Sequence, residues 1–245
     1  MLLDIAGLAR STFFYHQTRL QAPDSQAELK AAVTKVFKKN QARYGHRRIH
    51  RELLKEGWQV AKKTVLKLMR KLGLVCKVRR KKRYVSYQGE LGGIAPNLLD
   101  REFDATAPNE KWVTDVTEFR VGAQKLYLSP VMDLFDRQII SYSVGISPNL
   151  DLTNTSLRQA LATLRDGDKP LVHSDQGFQY QHVSWRTLLK NAGAVQSMSR
   201  KGNCYDNAVM ENFFGHLKEE LFNHVRFLNA DALAQQLKEY IRWYN

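Results

Sequence analysis

The chain has 245 residues, 43% of them hydrophobic, a length and composition that support a sizeable core and exclude a disordered chain. No apolar run reaches the roughly 18 residues of a membrane span and no signal peptide opens the sequence. The two cysteines, Cys76 and Cys204, have no C-x-x-C partner, so a disulfide framework is excluded and the expected home is a reducing cytoplasm, with no membrane partner. The net charge is +14, but residues 1–100 hold 22 Lys/Arg against 7 Asp/Glu whereas residues 101–245 hold 16 against 17, so a basic region that meets a polyanion precedes a near-neutral module with another task.

In chain order, "LLDIAGLARSTFFYH" reads as two short helices about a turn at Gly7, a partial helix-turn-helix-like segment assigned to 1–20. Region 21–75 is expected to be helical and DNA-binding. An amphipathic helix covers 25–40 with Leu29, Val33 and Val36 on one side, then helix 47–56, a turn at Gly57, and helix 61–72 closed by Gly73. Two short helices joined by a tight turn form a helix-turn-helix unit, which Arg47, Arg48, Lys62, Lys63, Lys67 and Arg70 decorate. A solvated face is the bland account of these charges; the basic excess favours contacts with DNA phosphates. His46 and His50 stand four apart on a helix, but "HRRIH" lacks the Glu of a zinc-protease pair, and a surface or phosphate-contacting role is expected. "KVRRKKRY" opens with six basic residues in seven, Arg79 and Arg80 among them, and is expected to touch DNA within a basic linker spanning 76–106.

From 107 to 245 the pattern changes. "KWVTDVTEFRV" alternates as one strand, and "KLYLSPVMDLF" and "RQIISYSVG" continue an antiparallel meander. "LTNTSLRQALATL" is helical, "LVHS" a short buried strand, "SWRTLLKNAG" a helix and "VQSM" another short strand. Residues 207–223 form one long helix and 231–243 the last. The expected fold class is α/β: a mixed five-stranded sheet flanked by helices, preceded by a small all-α region.

Three carboxylates stand out. Asp115 lies inside the apolar strand, where burial is costly unless the charge is paired or bound to a cation. Asp175 follows "LVHS", at a strand end where ligands are commonly met. Glu211 shares a helical stripe with Cys204, Asn207, Gly215 and Lys218, opposite an apolar face of Val209, Phe213 and Leu217. Taken singly, Asp175 could cap the turn before Gly177 and Glu211 could be a surface glutamate. Together they could converge on one hard cation such as Mg²⁺ or Mn²⁺. His173-Ser174-Asp175 is no hydrolase triad, because neighbours in a strand point to opposite faces.

"WVTDVTEF", "HSDQGFQY" and "SRKGNCYDNAVMENFFGHLKEE" resemble the three signature blocks of the integrase core in OrfB transposases of the insertion-sequence-three family, relatives of retroviral integrases. "YGHRRIHRELLKEG" resembles the helix-turn-helix segment ahead of that core, so the likeness covers nearly the whole chain. The resemblance implies an RNase H-like core that cleaves and joins DNA at insertion-sequence ends. Its acidic triad, with 35 residues between the second and third members, maps onto Asp115, Asp175 and Glu211 as catalytic residues and metal ligands, holding two Mg²⁺ or Mn²⁺ ions. Lys201, Arg200 and Lys218 are candidates to hold DNA phosphates; Asn203 and Asn207 could bond DNA or cap the helix. Gly177 is expected to leave space beside the metals, and Phe178 and Tyr180 to touch DNA or pack the turn. The family implies a homo-oligomer on terminal repeats and target DNA, and an upstream-frame helix-turn-helix product as partner. Its core also continues past "RWYN", so a C-terminally truncated core is expected. A non-catalytic DNA-binding regulator on the same scaffold, or a nuclease that cleaves without joining, are the alternatives.

Overall fold

The computed structural model describes residues 7, 9–21, 24–77 and 93–245. The expectations for residues 1–6 and for the basic run through Arg79 and Arg80 lie outside them. The chain divides between Lys77 and Val78 into two compact units.

The first unit follows from three amphipathic patterns. After helix α1 (Arg10–Gln21) come α2 (Ala27–Lys39), α3 (His46–Lys55) and α4 (Lys62–Lys71). Apolar residues three or four apart give each of α2, α3 and α4 one buried stripe: Val33, Val36 and Phe37; Ile49 and Leu53; Val65, Leu68 and Met69. Two glycines end the last two helices. Gly57 and Gly73 take φ of +86° and +65°, which lets Trp58 N–H reach Leu53 O and Leu74 N–H reach Met69 O, both at 2.9 Å. These six-to-one bonds are Schellman caps, and they satisfy carbonyls the helix would otherwise leave orphaned. His50 is drawn inward: its Nε2 meets the Val60 carbonyl at 2.8 Å, so that nitrogen ties α3 to the following turn and is not offered to a phosphate.

The second unit is built on a mixed sheet of β1 (Lys111–Thr114), β2 (Thr117–Val121), β3 (Gln124–Asp133), β4 (Ile139–Gly145), β5 (Leu171–Ser174) and β6 (Val195–Met198). The single strand expected over 111–121 is interrupted at Asp115 and Val116. Pairing shows why. Thr114 lies opposite Val131 and Thr117 opposite Leu128, one unbroken antiparallel register, so Asp115 falls opposite Pro130, which has no N–H to give the ladder. Asp115 is therefore a residue at a strand end, not mid-strand. Because β1 and β2 share one lane, the six strands occupy five lanes, ordered β4, β3, β1/β2, β5, β6. The last two run parallel to β1.

Parallel neighbours need crossovers, and helices supply them. α5 (Leu150–Leu161) joins β4 to β5; a one-turn helix α6 (Phe178–Gln181) and α7 (Val183–Asn191) join β5 to β6. The expected helix over 207–223 is three pieces: a 3-10 turn (Cys204–Asn207), α8 (Ala208–Leu217) and a π turn (Lys218–Phe222), followed by α9 (Ala230–Tyr244). Side chains alternate across the sheet. Val113 packs with Met210, Phe213, Phe214 and Leu217 of α8 and with α9, while Trp112 packs on the other face with Leu157, Trp185 and Leu189. Met210 and Phe214 are buried with Phe213 and Leu217, so the inward face of α8 is centred away from Val209, which is half-buried. Among the described residues no helix is long and apolar enough to cross a membrane.

Candidate active site

The site begins where two parallel strands stop. Lys111, Trp112 and Val113 pair with Leu171, Val172 and His173, and the same offset carried beyond the strand ends sets Asp115 beside Asp175. Each carboxylate is oriented by backbone just downstream. Val116 N–H donates to Asp115 Oδ1 at 2.7 Å, and Gly177 N–H donates to Asp175 Oδ1 at 2.9 Å. The turn-capping role of Asp175 is thus real and coexists with its place in the cluster.

Glu211 comes from α8 on the third side. Asn207, one helical turn earlier, donates through Nδ2 to the Thr114 carbonyl at 3.2 Å, which binds the start of α8 to the end of β1. The three acids share one electrostatic field. Burial, the Asp175 charge and the Glu211 charge push the Asp115 carboxyl well above the usual range, while the Val116 N–H and Lys218 pull it back. Burial also raises Asp175 against the pull of the Gly177 N–H. Both aspartates are half-buried in the surface, with their carboxyl groups set down among protein atoms. Among the described residues no three His, Cys, Asp or Glu side chains are gathered closely enough to hold a metal ion as they stand.

Around this cluster the structure settles several smaller points. A Cβ on Gly177 would come within 2.6 Å of the Gln179 amide, so the space this glycine leaves is filled by protein and not kept for a ligand. Tyr180 is fully buried, edge-to-face on Trp185 with ring centroids 4.9 Å apart; burial and the charges of Asp115 and Asp175 hold its phenol well above the ordinary value. Phe178 is 50% exposed and remains available to a partner. His173 is wedged between Ser197 Oγ at 2.8 Å and Ser199 Oγ at 3.0 Å. Ser197 Oγ also accepts from Leu98 and Leu99 N–H, so its own proton points at His173 Nδ1 and the Nε2 proton points at Ser199. Burial, only partly opposed by Asp206, lowers this histidine to about 4, so the ring is neutral at physiological pH.

The basic candidates separate. Arg47, Arg48, Lys62, Lys63, Lys67 and Arg70 are all exposed on α3 and α4, and Arg48 lies over the Tyr44 ring at 5.5 Å. Lys201 is exposed ahead of the 3-10 turn; Lys218 is half-buried, its ammonium 5.5 Å from the Phe119 ring centroid. Arg200 is turned to another task. Its Nε and Nη2 both contact the Asp206 carboxylate at 2.9 Å. Asn203 caps the 3-10 turn by accepting from Tyr205 N–H at 3.2 Å. Sequence reasoning did not single out Asp206, and it left Asn207 between DNA and a cap. The available signal was the four-residue step from Asn207 to Glu211, which puts both on one helical face.

Comparison with known proteins identifies the domains. Residues 105–204 match an integrase core domain, 211–245 a second integrase core domain description, and 23–82 an HTH-like domain. The InsK protein of insertion sequence element IS150 from Escherichia coli (strain K12) is 48% identical over all of this chain and 86% of its own length. The transposase for IS904 from Lactococcus lactis is 36% identical over 88% of this chain and 85% of its own, and the transposase InsF for IS3A from Escherichia coli is 35% identical over 86% and 73%. Among solved structures, the HTLV-2 integrase catalytic core domain in complex with magnesium aligns over 54% of this chain and 86% of that one, at 20% identity and a TM-score of 0.41. The assignment rests on the sequence relatives and the domain matches.

Proposed function

Since the chain belongs to the insertion-sequence DNA transposases of the insertion-sequence-three kind, with an HTH-like domain ahead of an RNase H-like integrase core, we propose how its residues carry out transposition. The core is a DDE-type polynucleotidyl transferase in which Asp115, Asp175 and Glu211 hold divalent cations, Mg²⁺ or Mn²⁺ and two of them. The observation that carries this reading is the shared field of the three acids at the ends of β1 and β5 and on α8. Two buried carboxylates held above their usual range, with a third beside them, are a site short of positive charge. An all-oxygen donor set suits hard cations. When bound, such cations neutralise phosphate charge and favour ionisation of the attacking hydroxyl.

The chain's own residues orient the rest. Val116 and Gly177 N–H fix one oxygen of each aspartate. Lys218 adds positive charge near Asp115, and Lys201 and Lys218 are assigned to the DNA backbone. Hydrolysis at the element end frees a 3′-hydroxyl. That hydroxyl attacks a phosphodiester of target DNA, whose own 3′-oxygen leaves and takes up a proton. Arg47, Arg48, Lys62, Lys63 and Lys67 contact phosphates of the terminal repeats from the helical unit, joined by Arg79 and Arg80 from the basic run that follows it; the linker expected over 76–106 ends earlier, since Leu99 lies in the core of the sheet unit. Joining two ends calls for a homo-oligomer in the bacterial cytoplasm, at the nucleoid, with the upstream-frame product as a further partner.

The test is nicking and end joining on duplexes carrying the element's terminal repeats, with Mg²⁺ or Mn²⁺. Asp115→Asn, Asp175→Asn and Glu211→Gln each abolish both steps with the fold intact. Wild-type joining separates a transposase from a nuclease that only cleaves. Activity retained by Asp175→Asn contradicts the assignment.

A further inference from the structure

Beside the acidic cluster lies a second, differently built one. Asp206 has no exposed side-chain surface, yet five donors converge on its carboxylate. Oδ1 accepts from Arg200 Nη2 and Arg101 Nε, both at 2.9 Å; Oδ2 accepts from Arg200 N–H at 3.0 Å, Arg200 Nε at 2.9 Å and Asn97 Nδ2 at 3.1 Å. The Arg200 bonds, joined by those from Arg101, hold this acid well below the usual carboxylate range, the opposite of Asp115 and Asp175. Asp206 is thus permanently charged and fully engaged. It ties residues 97–101 to the turn that begins α8.

The next residue makes the complementary bond. Asn207 is 5% exposed and donates an amide proton to the Thr114 carbonyl, in the peptide that leads into Asp115. Its Oδ1 is buried without a hydrogen-bond partner. An unsatisfied buried oxygen costs about 1–3 kcal/mol, so stability alone is a poor reason to keep an asparagine there. Asn207 stands one turn before Glu211 and therefore on its face of the helix. The same face that presents Glu211 is clamped to the backbone of Asp115.

We propose that Asp206 and Asn207 form a two-point latch that sets the distance between Glu211 and the Asp115–Asp175 pair, making Asn207 a positioning residue for the acidic cluster. Asp206 anchors the turn against the arginines, and Asn207 fixes the α8 start to the β1 end. The inference rests on the metal-site reading of the three acids. It adds that the cation affinity of the cluster is set by a residue that does not itself ligate.

The test is Mn²⁺ binding to the full chain, followed by the loss of the free-ion electron paramagnetic resonance signal, with far-ultraviolet circular dichroism on the same samples. Asn207→Ala is expected to weaken Mn²⁺ binding about 10- to 100-fold, the usual effect of losing a residue that orients a ligand. Arg101→Leu, which leaves Arg200 on Asp206, is expected to weaken it a few-fold. Both variants keep the parent's circular dichroism. Parent-like Mn²⁺ affinity in folded Asn207→Ala overturns the latch, and so does a loss of binding that only tracks the unfolded fraction. Asp115→Asn distinguishes the two levels: if that variant binds Mn²⁺ as the parent does, the metal-site reading fails, and the latch with it.

Discussion

The two units treat charge in opposite ways. Among the described residues, the helical unit buries a single polar or charged side chain, Arg43, and keeps Arg47, Arg48, Lys62, Lys63 and Lys67 in solvent. The sheet unit, nearly neutral overall, brings charge and polarity inside: His173, Asp206, Asn207 and Glu220 are all buried. Exposed charge is cheap to hold and acts at range on a polyanion, so the helical unit gives up no stability for its role. Buried charge is expensive, and the sheet unit holds it where partners are supplied, as five donors do for Asp206 and the Tyr240 hydroxyl does for Glu220. The contrast fits the proposed division of labour, with catalysis in the sheet unit and attraction in the helical one.

The sharpest way to break this contrast is to neutralise the sheet unit's acids. Asp175→Asn is expected to lower nicking at least ~10³-fold, equivalent to about 4 kcal/mol of transition-state stabilisation. The same change relieves a strained charge, so the metal-free protein melts at a higher temperature than the parent, a pairing of lost function with gained stability that a purely structural aspartate does not give. Next in size is Leu53→Ala in the core of the helical unit. Deleting this fully buried side chain is expected to cost that unit about 2–5 kcal/mol, measured by denaturant melts, with Mn²⁺ binding at the acids left as it was.

Acid reports on the sheet unit through His173. Its folded value, about 4, lies below the ordinary 6.5, so the unfolded chain binds the proton first. The stability this neutral ring contributes is complete above pH 6.5 and is lost as pH falls toward 4, by up to about 3 kcal/mol. His173→Gln is expected to flatten that part of the stability profile. The smallest effect belongs to the helical surface. Lys62→Gln, Lys63→Gln and Lys67→Gln combined are expected to reduce the slope of log affinity against log salt by about 2–3, with metal binding unchanged. A DNA slope unmoved by these changes removes the phosphate role from α4.

Much of this architecture is legible in the sequence. The helix stripes and their glycine stops set the helical unit, because 3.6-residue periodicity and positive-φ glycines are local signals. "LVHS" and "VQSM" were short enough to be read as strands and nothing else. The break at Asp115 was not legible, because it depends on Pro130 lying opposite it, a pairing between residues fifteen apart. The acids stand out by type and spacing, whereas the ion pair of Arg200 with Asp206 is invisible in the sequence, because it depends on how the turn before α8 folds. Asp206 itself was one acid among several in a motif, and only burial reveals that it serves the frame of the site. The stretch after α8, Lys218–Phe222, likewise reads as a continuation of regular helix, since a π turn leaves no mark in composition.

The central claim is that Asp115, Asp175 and Glu211 make one cation site. Crystals of the full chain grown with Mn²⁺ test it most directly, by anomalous scattering at the manganese edge. The account predicts manganese peaks bounded by carboxylate oxygens of all three residues, and their loss in Asp115→Asn. Manganese bound elsewhere with these three acids bare, or peaks unchanged in Asp115→Asn, contradicts it.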